Sequence, residues 1–164
     1  MGFFTRRFRY NNGWYEGGHF SDSPHGKGTL QFDNGNYYEG DFKYGMMCGQ
    51  GTIIYYNGRT YTGGFCNNEP HGYGVLTVPN KWVYRGDFVY GKLTGQGTLL
   101  FESGASYVGG FWDGEYNGWG VLTIGDGIRY EGYFSLGKKH GKGTMYFCDG
   151  TIITGTWDRD VFLG

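Results

Sequence analysis

Several familiar signatures are missing from this 164-residue chain, which has only 3 Pro and 3 Cys. The cysteines, Cys48, Cys66 and Cys148, are odd in number, and their spacing matches neither a disulfide scaffold nor a CxxC pair. They read as reduced thiols. Charge of one sign is also lacking. A net charge of −1 gives no basic face for nucleic acid and no bulk attraction to an acidic membrane. No stretch of about 18 apolar residues could cross a membrane as a helix, and Phe3-Phe4 followed by Arg6-Arg7 is no secretory signal. Met1-Gly2 invites N-myristoylation, but the motif wants Ser or Thr at the sixth residue, where Arg6 stands. Nor is there any run of about 10 residues with a 3.6-residue apolar period, so no helix is expected.

What the chain has instead is 35 Gly, 16 Tyr and 13 Phe, arranged on a period. Tyr15, Tyr38, Tyr61, Tyr84, Tyr107 and Tyr130 are evenly spaced, 23 residues apart, and Ile153 takes the next slot. A fixed period of this length is the mark of a stacked repeat. Counting each repeat from its Tyr, position 3 is Gly throughout, from Gly17 to Gly155. Position 5 is aromatic or His, as in His19, Phe42, Phe65, Phe88, Phe111, Phe134 and Trp157. Positions 12 and 14 are a Gly-x-Gly pair, and position 21 is usually Gly after Asn, Asp or Ser, as in Asn34-Gly35 and Asp149-Gly150.

Alternation turns each repeat into a hairpin. In a strand over positions 1 to 5, the Tyr, Gly and Phe at 1, 3 and 5 share one face, while Glu16, Glu39 and Glu131 at position 2 point to the other. A second strand is expected from about position 14, with apolar residues at 16 and 18 and mixed residues, often Thr, at 15 and 17. Asn-Gly and Asp-Gly supply the positive φ a tight turn needs. Gly at 3 and 14 leaves room for rings to lie over the sheet. The expected fold class is therefore all-β: an elongated, single-layer antiparallel meander of consecutive 23-residue hairpins, a solenoid-like twisted ribbon. Residues 1–14 are expected to form an N-terminal capping strand. Residues 15–164 are expected to hold seven repeats starting at 15, 38, 61, 84, 107, 130 and 153, the last incomplete.

The pattern resembles the MORN family (membrane occupation and recognition nexus). Tyr15-Glu16-Gly17 with His25-Gly26-Lys27-Gly28 matches its unit. So does Tyr130-Glu131-Gly132-Tyr133-Phe134, with Gly137 and His140-Gly141-Lys142-Gly143. The resemblance implies a solenoid-like hairpin meander. It also implies service as a cytoskeletal or ciliary scaffold, an adaptor or an appendage of an enzyme, with lipid binding proposed for the family.

No catalytic constellation stands out. His25, His71 and His140 share position 11 with Cys48, but equivalent residues of adjacent repeats lie about 10 Å apart, too far to share a zinc ion. The expected role of these histidines is to cap the loop before Gly-x-Gly. The spaced glutamates repeat with the fold, and no Gly-x-Ser-x-Gly elbow occurs. The Gly-x-Gly pairs lack the helix a phosphate site needs. The chain is expected to be no enzyme and to need no metal or cofactor.

Departures from the repeat are the better guide to a partner. The segment at positions 6 to 11, read as a loop along one edge, is polar in repeats 1 and 6 but carries Tyr44, Met46 and Met47 in repeat 2. It carries Val89, Tyr90 and Leu93 in repeat 4 and Trp112 and Tyr116 in repeat 5, with Trp119 just beyond. Exposed together, these would form an apolar stripe for a protein partner, a helix or a peptide. Arg6, Arg7 and Arg9 guard the N-terminal strand, expected over Phe3 to Tyr10. The C-terminal end is expected to leave an open edge from Thr151 to Trp157, followed by Val161, Phe162 and Leu163, and to form a homodimer there. The leading reading is a non-enzymatic interaction scaffold, cytoplasmic and cytoskeletal or ciliary, binding through its aromatic ribbon or its loop edge. The alternatives are a regulatory appendage of an enzyme domain, and a lipid-binding module using Arg6, Arg7, Arg9, Lys27, Lys138, Lys139 and Lys142, which is not favoured because these residues do not cluster.

Overall fold

The computed structural model describes residues 5–164. Met1-Gly2 and the start of the expected N-terminal strand at Phe3 lie outside the described residues. The described chain is all strand and turn, with no helix. Its strands are β1 (Thr5–Tyr10), β2 (Gly13–Phe20), β3 (Ser23–Phe32), β4 (Tyr37–Lys43), β5 (Met46–Ile54), β6 (Thr60–Cys66), β7 (Glu69–Val78), β8 (Trp82–Val89), β9 (Lys92–Phe101), β10 (Ser106–Trp112), β11 (Glu115–Ile124), β12 (Ile128–Ser135), β13 (Lys138–Tyr146), β14 (Ile152–Asp158) and β15 (Val161–Phe162). The strand order of the sheet is the chain order, as expected for an antiparallel meander of hairpins. The chain divides into two units. The first runs to Pro79 and adds Val89–Gly91; the second is Asn80–Phe88 with Lys92–Gly164.

In both units the core is one face of the sheet. The tyrosines at position 1 are completely buried. Each lies over the glycines of its own repeat: a Cβ on Gly28, Gly51, Gly97 or Gly143 would strike the ring of Tyr15, Tyr38, Tyr84 or Tyr130. The glycines at 3 and 14 are thus the floor on which the rings rest. Each hydroxyl folds back and donates to the carbonyl three residues on, Tyr15 to Gly18 at 2.6 Å and Tyr107 to Gly110 at 2.9 Å, so the ring is buried with its polar atom satisfied.

The rings interlock edge to face. In the first unit Tyr38 meets Phe42 at 5.1 Å and Phe65 of the next repeat at 5.0 Å. In the second, Tyr107 meets Phe111 and Phe134, both at 5.1 Å. Such contacts contribute about 0.5–1.5 kcal/mol each beyond area burial. Burial also raises the tyrosine pKa values, to about 12 at Tyr15, Tyr61 and Tyr130 and further at Tyr38 and Tyr107.

The structure corrects the reading of positions 6 to 11. The second strand begins at position 9, and the expected loop is a two-residue turn at 7 and 8. Both turn residues have positive φ, as in Asn67-Asn68 (51° and 72°), Asp113-Gly114 (51° and 87°) and even Leu136-Gly137 (49° and 78°). That is the conformation whose twist matches flanking strands. The added strand length is absorbed by a bulge, where the register shifts between positions 3 and 5. The position-12 glycines, such as Gly26 (φ 77°), turn left-handed there. Each turn is also tied to the preceding repeat: position 8 donates its N–H to the carbonyl at position 10, Gly45 to Pro24 at 2.9 Å and Gly137 to Tyr116 at 3.0 Å.

The ends differ from the interior. β1 pairs with β2 and sets Phe8 opposite Tyr15, their rings 5.3 Å apart. The expected open edge at 151–157 is corrected at its end, from Thr156 on. β15 turns back and pairs Trp157 with Phe162, while Thr156 and residues 163–164 exchange backbone hydrogen bonds of 2.9 Å. The Phe162 ring covers Gly155, where a repeat beginning with Tyr would place its own ring. Ile153 leaves that space empty, and the returning strand fills it.

Candidate partner interface

The residues expected to form one apolar stripe divide between two faces and two units. In the first unit Tyr44 and Tyr90 are exposed turn residues and Met46 is exposed beside its turn, but Met47 is buried in the core face. In the second, Trp112 and Trp119 are exposed. Leu93 is half-buried, and Tyr116 stacks flat on Tyr107 at 3.8 Å. The reason is parity. Position 10, which holds Met47, Leu93 and Tyr116, pairs across the turn with position 5 and shares its inward direction. At the C-terminal end Trp157 is buried against Tyr130, while Val161, Phe162 and Leu163 are exposed. The outer edge of β14 before Thr156 is not paired with β15.

The position-11 histidines cap the next hairpin. His25 packs on Tyr44 with ring centroids 5.2 Å apart, and His71 on Tyr90 at 5.1 Å. His140 contacts Asp158 at 3.2 Å. Among the described residues no group of three metal-ligating side chains converges.

The cations considered for lipid binding mostly have partners. Arg9 is bidentate to Asp33 at 2.7 and 2.8 Å, which holds that carboxyl below its usual pKa. Arg6 pairs with Asp22 at 3.0 Å and Lys27 with Asp41 at 2.8 Å. Burial works against the Asp41 charge, but Lys27 and the Gln50 N–H outweigh it and lower its pKa. Arg7 lies over the Trp14 ring and Lys139 over Trp157.

With the core rings self-covered, the opposite face is the one that offers side chains. In the first unit a cross-strand row runs Arg7, Glu16, Thr29, Glu39, Thr52, Thr62, each facing the next. From Glu16 onward it lines a groove of about 730 Å³ floored by Gly17, Gly28, Gly40 and Gly51 and walled by Lys27 and Gln50. No cation sits within ion-pair distance of Glu16 or Glu39 among the described residues. The hydroxyl of Tyr37 has its pKa raised by burial and then by the Glu39 charge.

In the second unit this face carries an aromatic pair. Trp119 and Tyr133 are directly opposite across β11 and β12 and are 54% and 52% exposed. Val108 pairs with Val121 alongside. The sequence reading does not single out Tyr133, nor Tyr73, exposed on the same face of the first unit. The signal that could have found Tyr73 is a double period. Repeats 2 and 4 have Asp41 and Asp87 at position 4, each accepting the N–H of Gln50 or Gln96 at position 13. Repeats 3 and 5 have Gly64 and Gly110 there, where a Cβ would strike the carbonyl of His71 or Asn117. These same repeats put Tyr73 and Trp119 at position 13.

A sheet that follows chain order, built of hairpins with one self-covered aromatic face, defines a hairpin-repeat protein. The MORN repeat family model matches residues 15–37, 38–58, 61–83, 84–106, 107–129 and 130–152. The chain belongs to the MORN-repeat family. Among curated proteins nothing matches it in sequence. Among solved structures, it is similar to the TCP domain of Drosophila melanogaster SAS-4 (dCPAP) in complex with a proline-rich motif of Ana2 (dSTIL). The TM-score is 0.52 and the identity 10%, over 93% of this chain and 90% of that one. A mutant TCP10 domain of Danio rerio CPAP matches at a TM-score of 0.24 and 15% identity, over 93% and 99% of the two chains.

Proposed function

We propose that the chain is a non-enzymatic interaction scaffold that takes an extended, proline-rich type of segment from a protein partner on the face opposite its aromatic core. The observation that carries this reading is the exposed Trp119–Tyr133 pair, large rings on a strand face with no core beneath them. Aromatic platforms on a rigid surface are what polyproline II segments dock on. The spacing fits as well. A polyproline II helix repeats every three residues, about 9.3 Å, and two strands of a sheet advance about 9.6 Å. A segment lying across the strands would therefore meet equivalent positions of adjacent repeats once per turn. The SAS-4 TCP domain, alike in fold, was solved with a proline-rich motif bound, which supports the choice of ligand class.

The exposed turn residues Tyr44 and Tyr90, with Trp112 at the end of β10, remain a second docking edge within this proposal. A cytoplasmic, cytoskeletal or ciliary setting rests on the family resemblance alone. Lipid binding is not favoured, since Arg6, Arg9 and Lys27 are neutralised by neighbouring aspartates. The test is selection from a peptide display library on the immobilised chain. Enrichment of proline-rich sequences that compete with one another supports the reading. Enrichment of amphipathic helical sequences, or of nothing, refutes it.

A further inference from the structure

Register brings together two cysteines that spacing along the chain keeps apart. The last pair of the β5–β6 ladder is Gly49 with Phe65, and Cys48 and Cys66 are the residues that flank it, one step further in the same register. Both are half-buried and both thiols are free. The equivalent step near the C-terminus, one beyond Gly141 with Trp157, is occupied by His140 and Asp158, whose side chains meet at 3.2 Å. There, position 11 of one repeat meets position 6 of the next. Residues opposite one another in antiparallel strands have Cα atoms about 4.5–5.5 Å apart, within the window of about 4.4–6.8 Å that a disulfide requires. Cys148 is exposed in the turn after β13 and is not part of this pair.

We propose that Cys48 and Cys66 are a reversible dithiol–disulfide site that staples β5 to β6. The oxidant is a small disulfide such as oxidised glutathione. One cysteine thiolate attacks it, forming a mixed disulfide and releasing a glutathione thiolate. The second cysteine thiolate then attacks the protein sulfur of that mixed disulfide and releases the other glutathione. Two protein thiols are oxidised, one glutathione disulfide is reduced to two thiols, and the two protons pass to the departing thiolates. The staple would lie two residues from Gln50 and Gly64, which face each other beside the groove.

The test uses the wild-type chain. It is equilibrated in oxidised and reduced glutathione, its remaining thiols are alkylated, and peptides are mapped by mass spectrometry without reduction. The expected result is a linked peptide joining Cys48 to Cys66, with Cys148 alkylated or glutathionylated. The midpoint of thermal unfolding should rise by about 5 °C, and dithiothreitol should reverse it. In Cys48→Ser the link should vanish and Cys66 should stop at the mixed disulfide. Full alkylation of both cysteines, mixed disulfides that never resolve, or only links between chains would each overturn the proposal.

Discussion

The two faces of the sheet follow different rules. On the aromatic face almost every repeat is a copy of the next: a ring at position 1, its hydroxyl turned onto its own backbone, and glycines beneath it. On the opposite face, position 2 is Glu in three repeats, Thr in Thr62 and Thr154, Arg85 or Val108, and position 13 passes from Lys27 through Tyr73 to Trp119. The first face has no freedom, because a change at any ring or floor glycine opens a void or a clash in a core one layer thick. The second is free to vary, so what it displays reports on partners more than on folding.

The sharpest way to break this contrast is at the rings. Tyr38→Ala removes a fully buried ring held between Phe42 and Phe65, and should cost about 3–5 kcal/mol in denaturant unfolding. Alkali should act on the same face. The folded-state pKa values of Tyr15, Tyr61 and Tyr130 are raised to about 12 by burial, above the ordinary value of about 10. Their contribution is complete below about pH 10 and is lost as pH rises towards 12. The last step of the tyrosinate absorbance, that of the buried rings, should therefore coincide with loss of the β-sheet circular dichroism.

Changes on the opposite face should leave folding nearly untouched. Trp119→Ala and Tyr133→Ala should each shift stability by less than about 0.5 kcal/mol while weakening a proline-rich peptide by about tenfold, measured by calorimetry. The smallest effect is expected at Lys27→Ala, whose exposed pair with Asp41 contributes at most about 1 kcal/mol, read from the urea midpoint.

Legibility in the sequence divides along the same line. The period of Tyr15 to Tyr130, the floor glycines and the alternation at positions 1, 3 and 5 are enough for the hairpin meander, because each answers a steric demand of the fold. The turn at positions 7 and 8 is harder to see. Left-handed Tyr44, Tyr90 and Leu136 are poor turn residues by propensity, and only the glycines after them give the turn away. Position 10 lies beyond the bulge but pairs across the turn with the inward position 5, which is why Met47 and Tyr116 point inward. Trp119 is legible as a departure from the pattern. Tyr133 is not, since its pairing with Trp119 depends on a register between repeats that no residue in either strand announces.

The most direct test of the account is calorimetric titration of a selected proline-rich peptide into the wild-type chain and into the Trp119→Ala/Tyr133→Ala double variant, with folding verified by circular dichroism. The account predicts saturable binding to the wild type and a loss of about a hundredfold or more in the folded double variant. Undiminished binding to the folded double variant would contradict it and place the partner on another surface.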